Sequence, residues 1–184
     1  MIKIDLGCGC SKKQGFTGVD TVRHPCVDVV HDLNSFPYPF ADAVADEVWM
    51  DNVLEHLKEP VTVMEEVWRV ACHGARVTVS VPFFRSVYSS IDPTHRTFFS
   101  SQWFSYFDPE HLFCRKYGYS PARFKVERIQ FDRERREAGQ LGLVRSLLVR
   151  LAERHPFWYE LKLSHLYPLD SLTFHLTVIK EQTT

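Results

Sequence analysis

The chain has 184 residues, a formal net charge of −1, and 45% hydrophobic and 24% charged residues. This is the make-up of an ordinary globular protein and excludes disordered, collagen-like and strongly basic classes. No apolar stretch approaches the length of a bilayer span, and Met1–Ile4 leads into an apolar run without a signal-peptide pattern. Five cysteines, an odd number without secreted-scaffold spacing, point to reduced thiols and a cytoplasmic location.

Ile2–Leu6 reads as a strand that breaks at once into the turn Gly7-Cys8-Gly9-Cys10. Glycines there let backbone come close to a ligand. Cys8 and Cys10 resemble half of a metal site, but no second close pair completes it, and small side chains suit a tight turn. The next apolar run, Phe16–Asp20, ends in an acid placed at a strand tip for a ribose diol. A dinucleotide fingerprint needs a third glycine at the sixth position and an acid about 20 residues on. Counted from Gly7 the sixth position is Lys12 and Asp20 arrives too early, which argues against a nicotinamide-dependent oxidoreductase.

Val27–Asp32 predicts a third strand and Asp46–Asp51 a fourth, with a packed proline and aromatic loop at Asn34–Asp42 between them. Pro60 suits the first turn of a helix running to about Ala71, with Val63, Val67 and Val70 on one face and Gly74 as its stop. Arg76–Pro82 alternates as a fifth strand. Phe124–Phe131 and Leu172–Ile179 predict a closing strand pair around a helix near Leu141–Arg154. The order predicts an α/β chain: a Rossmann-like, doubly wound, three-layer α/β/α sheet, mostly parallel with an antiparallel C-terminal hairpin. One domain spans 1–184, with a pocket-shaping insertion at about 83–119 where aromatics and turn residues break the rhythm.

Charge is uneven. Acids concentrate in the first 70 residues, while the stretch from Arg115 to Arg154 has an excess of basic side chains. Such a stretch could meet an anionic substrate, a membrane surface or nucleic acid. Interleaved glutamates favour a solvated helical face instead, and the absence of aromatics within Arg133–Glu137 argues against nucleic acid.

The segment IDLGCGCSKKQGFTGVD resembles motif I of the class I S-adenosylmethionine-dependent methyltransferases. It looks closest to a subgroup in which a short loop replaces the first crossover helix; Ser11 stands where many members carry a third glycine. VVHDLNSFPYPFADAVADEVWMDNVLEHL is similar to the middle of the type 11 and related methyltransferases, and the resemblance is sharp as far as about residue 113. It implies S-adenosylmethionine as cofactor, with Asp5, Gly7, Gly9, Asp20, Asp32, Leu33 and Asp51 around it. Asp32 would accept from the adenine amine and Leu33 would cover the ring; capping of the next turn is the competing role for Asp32. Asp51 and Asn52 would lie near the donor end. The resemblance further implies a substrate pocket involving Asn52, Glu55, Tyr88 and Asp92.

Methyl transfer needs a base only for a hydroxyl or protonated amine. His95 is the first candidate and His56 the second. In ubiquinone-pathway and small-RNA methyltransferases a similar E-x-x-E-H run binds a divalent metal with help from a later histidine. Here Asn52 replaces the first carboxylate, so helix-start and pocket roles are expected for Glu55 and His56 and no metal is expected; Glu55, His56 and His95 form the alternative set. Many relatives also carry helices over the cofactor before the first strand, where this chain has Met1. The cover would come from Phe83–Tyr119, the C-terminal part, a second copy in a homodimer, or the substrate. The acceptor is unnamed by the sequence, and the runner-up function is a non-catalytic binding or scaffold protein of the same fold.

Overall fold

The computed structural model describes residues 1–180. Seven strands form its sheet: β1 (Ile2–Leu6), β2 (Thr17–Asp20), β3 (Val29–Val30), β4 (Ala45–Asp51), β5 (Ala71–Pro82), β6 (Arg123–Phe131) and β7 (Ser171–Ile179). Their order is β3-β2-β1-β4-β5-β7-β6. Only β7 runs against its neighbours, pairing antiparallel with β5 and β6. The helices are α1 (Pro60–Val70), α2 (Tyr88–Ile91), α3 (Leu112–Tyr117), α4 (Arg133–Glu137), α5 (Leu143–Arg154) and α6 (Pro156–Lys162), with 3-10 turns at Leu54–His56 and Trp103–Tyr106. The expected mostly parallel, Rossmann-like plan with an antiparallel C-terminal pair is present.

Strand alternation sends the two faces of this sheet to different fates. Ile4, Val48, Val77 and Leu176 lie in one cross-strand row, and all are buried. Helix α1 adds Val63, Met64, Val67 and Val70 to the same core, and α5 adds Val149 and Ala152. The Phe104 ring sits 4.8 Å from Phe174, and Tyr159 sits 5.4 Å from Phe131. Such rings contribute roughly 0.5–1.5 kcal/mol beyond their buried area. The adjacent row, Asp5-Trp49-Thr78-His175, faces the other way and is largely polar. Its cover is thin: the 7–16 loop places Lys13 Nζ 3.3 Å from the Trp49 ring centre, and α4 places the Arg133 guanidinium 4.8 Å from it. Connections as short as 7–16 and 21–28 leave no room for full crossover helices, so this third layer is reduced to a loop and a short helix.

Several boundaries differ from the sequence reading. The third strand is Val29–Val30 rather than Val27–Asp32, because the Asp28 carboxylate takes the Gly18 N–H at 2.7 Å and the chain leaves the ladder there. Gly74 does not end α1. Ala71 turns extended directly after Val70, and Gly74 (φ 76°) lies where β5 bulges before its register resumes at Arg76. Helices α2, α3 and α6 lie outside the elements the sequence predicts, and α4 falls in the run read as a solvated helical face; the expected Leu141–Arg154 helix is α5, starting at Leu143. Of the aromatics within Phe83–Tyr119, Phe83, Phe99, Phe104 and Phe107 are core, while Phe98 is exposed.

Candidate functional site

The carboxyl ends of the parallel strands are where open α/β sheets bind ligands, and three hollows meet there. The first, about 340 Å³, is lined by Gly7, Asp20, Asp32, Leu33 and Val53 among others. The second, about 570 Å³, gathers Asp5, Lys13, Trp49, Asp51 and Arg133. The third is a cleft of about 830 Å³ containing Glu55, His56, Tyr88, Asp92, His95 and Glu134. Asn52 lines all three and stands at their junction in the left-handed region, φ 53°. Its amide donates to Asp51 and to Glu134.

The glycine turn is built for close approach. Gly7 has φ 72°, and a methyl group on it would meet Val53 Cγ2 at 2.3 Å; Gly9 has φ 49° and open space on its Cβ side. Asp20 accepts from the Gly9 N–H at 2.9 Å and from the Val22 N–H at 3.1 Å, so the acid at the tip of β2 also fixes the loop above it. Cys8 is buried and its thiol is pushed up to about 11, chiefly by burial, which leaves it a packing group; Cys10 is exposed. Asp32 accepts from the backbone N–H and the side-chain amide of Asn34 through one oxygen, which lowers its pKa. That is the turn-capping role, and the residue nevertheless lines the first hollow beside Leu33.

The second hollow is dipolar. Asp5 is buried and accepts from the Lys13 N–H at 2.8 Å; burial raises its pKa, with the Asp51 charge adding to the effect. Asp51 receives the Arg133 guanidinium at 2.7 Å. Arg133 keeps a buried Nε without a hydrogen-bond partner. Sequence reasoning missed Arg133 and Glu134, since they lie 82 residues from the positions they touch and belong to a run read as a solvated helical face.

The cleft holds the third group. Glu55 sits in the 3-10 turn Leu54–His56, is 1% exposed, and neither of its carboxyl oxygens has a partner. Glu55 thus stands in the first turn of the 3-10 helix without making a side-chain cap bond. Burial pushes its carboxyl up to about 7, with Asp51 and Asp92 contributing. The Glu55 carbonyl accepts from the Arg96 N–H at 2.8 Å, which pins the loop carrying His95 to this turn. The rings of His56 and His95 lie 4.6 Å apart. His56 Nδ1 meets Thr94 Oγ1 at 2.8 Å, and that hydroxyl donates to Asp92 at 2.7 Å. Nδ1 therefore carries the proton, and Nε2 presents a lone pair. His95 Nδ1 faces the Ser89 carbonyl at 3.1 Å, which fixes the same tautomer. Burial, with His95 next, lowers the His56 pKa, against the opposing charge of Asp92.

Comparison with known proteins bears on the fold. Residues 10–79 match a family model described as a methyltransferase domain. Among solved structures, a SAM-dependent methyltransferase from Archaeoglobus fulgidus superposes with TM-score 0.57 at 20% identity, covering 95% of this chain and 85% of that one. A chain of the complex between the Haloferax volcanii Trm112 methyltransferase activator and a methyltransferase gives 0.55 at 15%, covering 100% and 84%. The [4+2]-cyclase SpnF gives 0.56 at 17%, covering 96% and 74%. No curated protein shows significant sequence similarity to the chain. The fold is that of the SAM-dependent methyltransferases, and residues 10–79 resemble a methyltransferase domain.

Proposed function

We propose that the chain transfers a methyl group from S-adenosylmethionine to an acceptor bound in the cleft of Glu55, His56 and His95. The observation that carries this reading is the meeting of the three hollows at Asn52. A nucleoside end (Asp20, Asp32, Leu33), a dipolar end for an amino acid (Asp5, Asp51, Arg133) and an acceptor cleft converge on one point. S-adenosylmethionine, when bound, would supply an already activated methyl group for an acceptor lone pair. The chain's work is alignment and removal of water. Asp20 would accept from the ribose hydroxyls, Leu33 would cover the purine, Asp5 and Asp51 would hold the ammonium group, and Arg133 would hold the carboxylate. His95, with Nε2 free, takes the proton released by a hydroxyl or ammonium acceptor, and His56 stands second. No helix among the described residues is long and apolar enough to cross a membrane. The free cysteines support a cytoplasmic enzyme.

His95→Ala is expected to bind S-adenosylhomocysteine as wild type does and to lose about 10²–10⁴-fold in methylation rate. An unchanged rate on the true acceptor removes His95 from the mechanism. The [4+2]-cyclase among the structural neighbours is a reminder that this fold hosts other chemistry. A scaffold protein of this fold would bind the cofactor and show no turnover with any acceptor.

One observation favours a metal-assisted variant of the same reading. Glu55, His56 and His95 each offer a donor atom within 4.8 Å of the others. Both imidazoles present Nε2 with Nδ1 anchored behind, the arrangement supporting groups impose on metal-binding histidines. Two imidazoles and one carboxylate suit Zn²⁺, Mn²⁺ or Fe²⁺ better than Mg²⁺. Calorimetry with Zn²⁺ should show one site per chain, and Glu55→Gln should weaken it by at least about 100-fold. Equal heats from both proteins exclude the metal.

A further inference from the structure

We infer that the outward faces of α5 and α6 dock this protein on an anionic membrane surface, so that the cleft receives an acceptor carried in the lipid. The docking surface goes beyond the methyltransferase reading; only the placing of the acceptor rests on it.

Helix α5 buries Val149 and Ala152, yet Leu143, Val144 and Leu147 point to solvent at 80%, 65% and 57% exposure. Helix α6 buries Tyr159 and Glu160 and exposes Phe157, Trp158 and Leu161. Six large apolar side chains on two consecutive helices exceed the scattered exposure normal for a surface. Charge says what covers them. The only acids between 141 and 169 are Glu153 and Glu160, and both turn inward. Glu153 receives Arg136 at 2.7 Å and the Phe131 N–H; Glu160 receives the Ser101 N–H. Among the basic residues of this stretch, Arg145 is drawn in by Asp132 and Asp170. Arg150, Arg154 and Lys162 remain exposed and make no ion pair among the described residues. Every exposed formal charge of the segment is therefore positive and sits beside leucine, phenylalanine and tryptophan. This is the composition of a helix lying in a lipid interface, where apolar side chains enter the acyl boundary and cations meet anionic headgroups. A protein partner of matching shape would ordinarily be met by charges of both signs.

The position of the surface matters as much as its composition. Gln140 lines the acceptor cleft, and Leu143 begins the apolar face three residues later. Across the cleft mouth, Tyr88 and Ile91 of α2 line the cavity while remaining 46% and 66% exposed. An acceptor with an apolar tail would meet Tyr88 and Ile91 in the cleft, whose lining residue Gln140 lies three positions before the docked face begins.

Flotation with vesicles tests the surface without cofactor or turnover, so its failure is separate from failure of the enzymatic reading. The full chain should bind phosphatidylcholine vesicles containing phosphatidylglycerol and release as salt is raised, with far weaker binding to phosphatidylcholine alone. The combined change Arg150→Ala with Arg154→Ala should weaken partition by about fivefold per arginine, about 25-fold together. Leu143→Asp with Leu147→Asp, both at exposed positions, should abolish it while the thermal midpoint and S-adenosylhomocysteine binding stay as in wild type. Wild-type protein that does not float, or variants that float as well as wild type, overturn the inference. So does a dimer in solution that the leucine variant dissolves while wild type ignores vesicles.

Discussion

Asp20→Ala should lose at least about 100-fold in affinity for S-adenosylhomocysteine, measured by calorimetry. The carboxylate has two oxygens, held at 2.9 Å by Gly9 N–H and 3.1 Å by Val22 N–H. Thr21 Oγ1 also reaches the Val22-bound oxygen, at 3.4 Å, a long contact that a ligand hydroxyl can displace, and the residue lines the hollow of Gly7, Asp32 and Leu33. A ribose diol would donate twice to a charged acceptor, and each such bond contributes about 1.5–3 kcal/mol. Loss of both gives about 3–6 kcal/mol, and each 1.4 kcal/mol is a factor of ten. Loss of the Gly9 bond costs the protein itself only about 1 kcal/mol, so a folded variant that does not bind is the expected outcome. Asp20→Asn keeps an acceptor without the charge and should fall between the two. Full-strength binding by the alanine variant would remove the nucleoside from this hollow.

The second large effect is on the fold. Gly7→Ala should lower stability by about 2–5 kcal/mol, from two costs. A left-handed residue with a Cβ costs about 1–2 kcal/mol, and pushing a methyl group into a packed neighbour costs about 1–3. The new carbon would lie 2.3 Å from Val53 Cγ2 and 2.8 Å from Val53 Cγ1, and Val53 is itself buried. Gly9→Ala has open space and meets only the backbone cost. Chemical denaturation of both variants separates the two terms. Equal loss at Gly7 and Gly9 would show that contact with Val53 is not the cause.

Much of the nucleoside end was legible because it is local. A strand, two glycines and Asp20 fall within 20 residues, and the short loop after Gly9 follows from the count. Asp32 and Leu33 come from the resemblance, and the structure puts both in the same hollow as Gly7. The role of Asp32 in capping was equally visible, and the residue does it while lining that hollow. Arg133 was illegible: nothing in RERRE distinguishes an arginine folded onto Asp51 from one in water. The partition of that run is tertiary, decided by which acids β4, β7 and α5 happen to present. Gly74 failed as a helix stop for a similar reason, since pairing of Ala71 with Ala45 ends α1 earlier than the glycine would. The tautomers of His56 and His95 depend on Thr94 and a carbonyl of the α2 turn, partners that no spacing rule names.

The place of β7 between β5 and β6 has a consequence for the chain as it is synthesised. Strands β1 to β5 can pair in the order they emerge, and with them the glycine turn, Asp20 and Asp32 reach their places. Strand β6 then appears with no neighbour, since its one partner among the described strands is β7, which follows it. Through about 40 residues of further elongation, β5 presents an open edge and the apolar side of β6 is uncovered, a state prone to pairing with other chains. When β7 arrives it closes both edges at once. The Ile179 carbonyl takes the Trp68 Nε1–H at 2.7 Å, and Lys180 Nζ reaches the Arg69 carbonyl at 2.9 Å, tying the end of the sheet to α1. Only then is Arg133, carried at the end of β6, held over Trp49 and Asp51. A nascent chain would thus shape the hollow of Gly7, Asp20 and Asp32 early and complete that of Asp5, Asp51 and Arg133 only after β7 is in place.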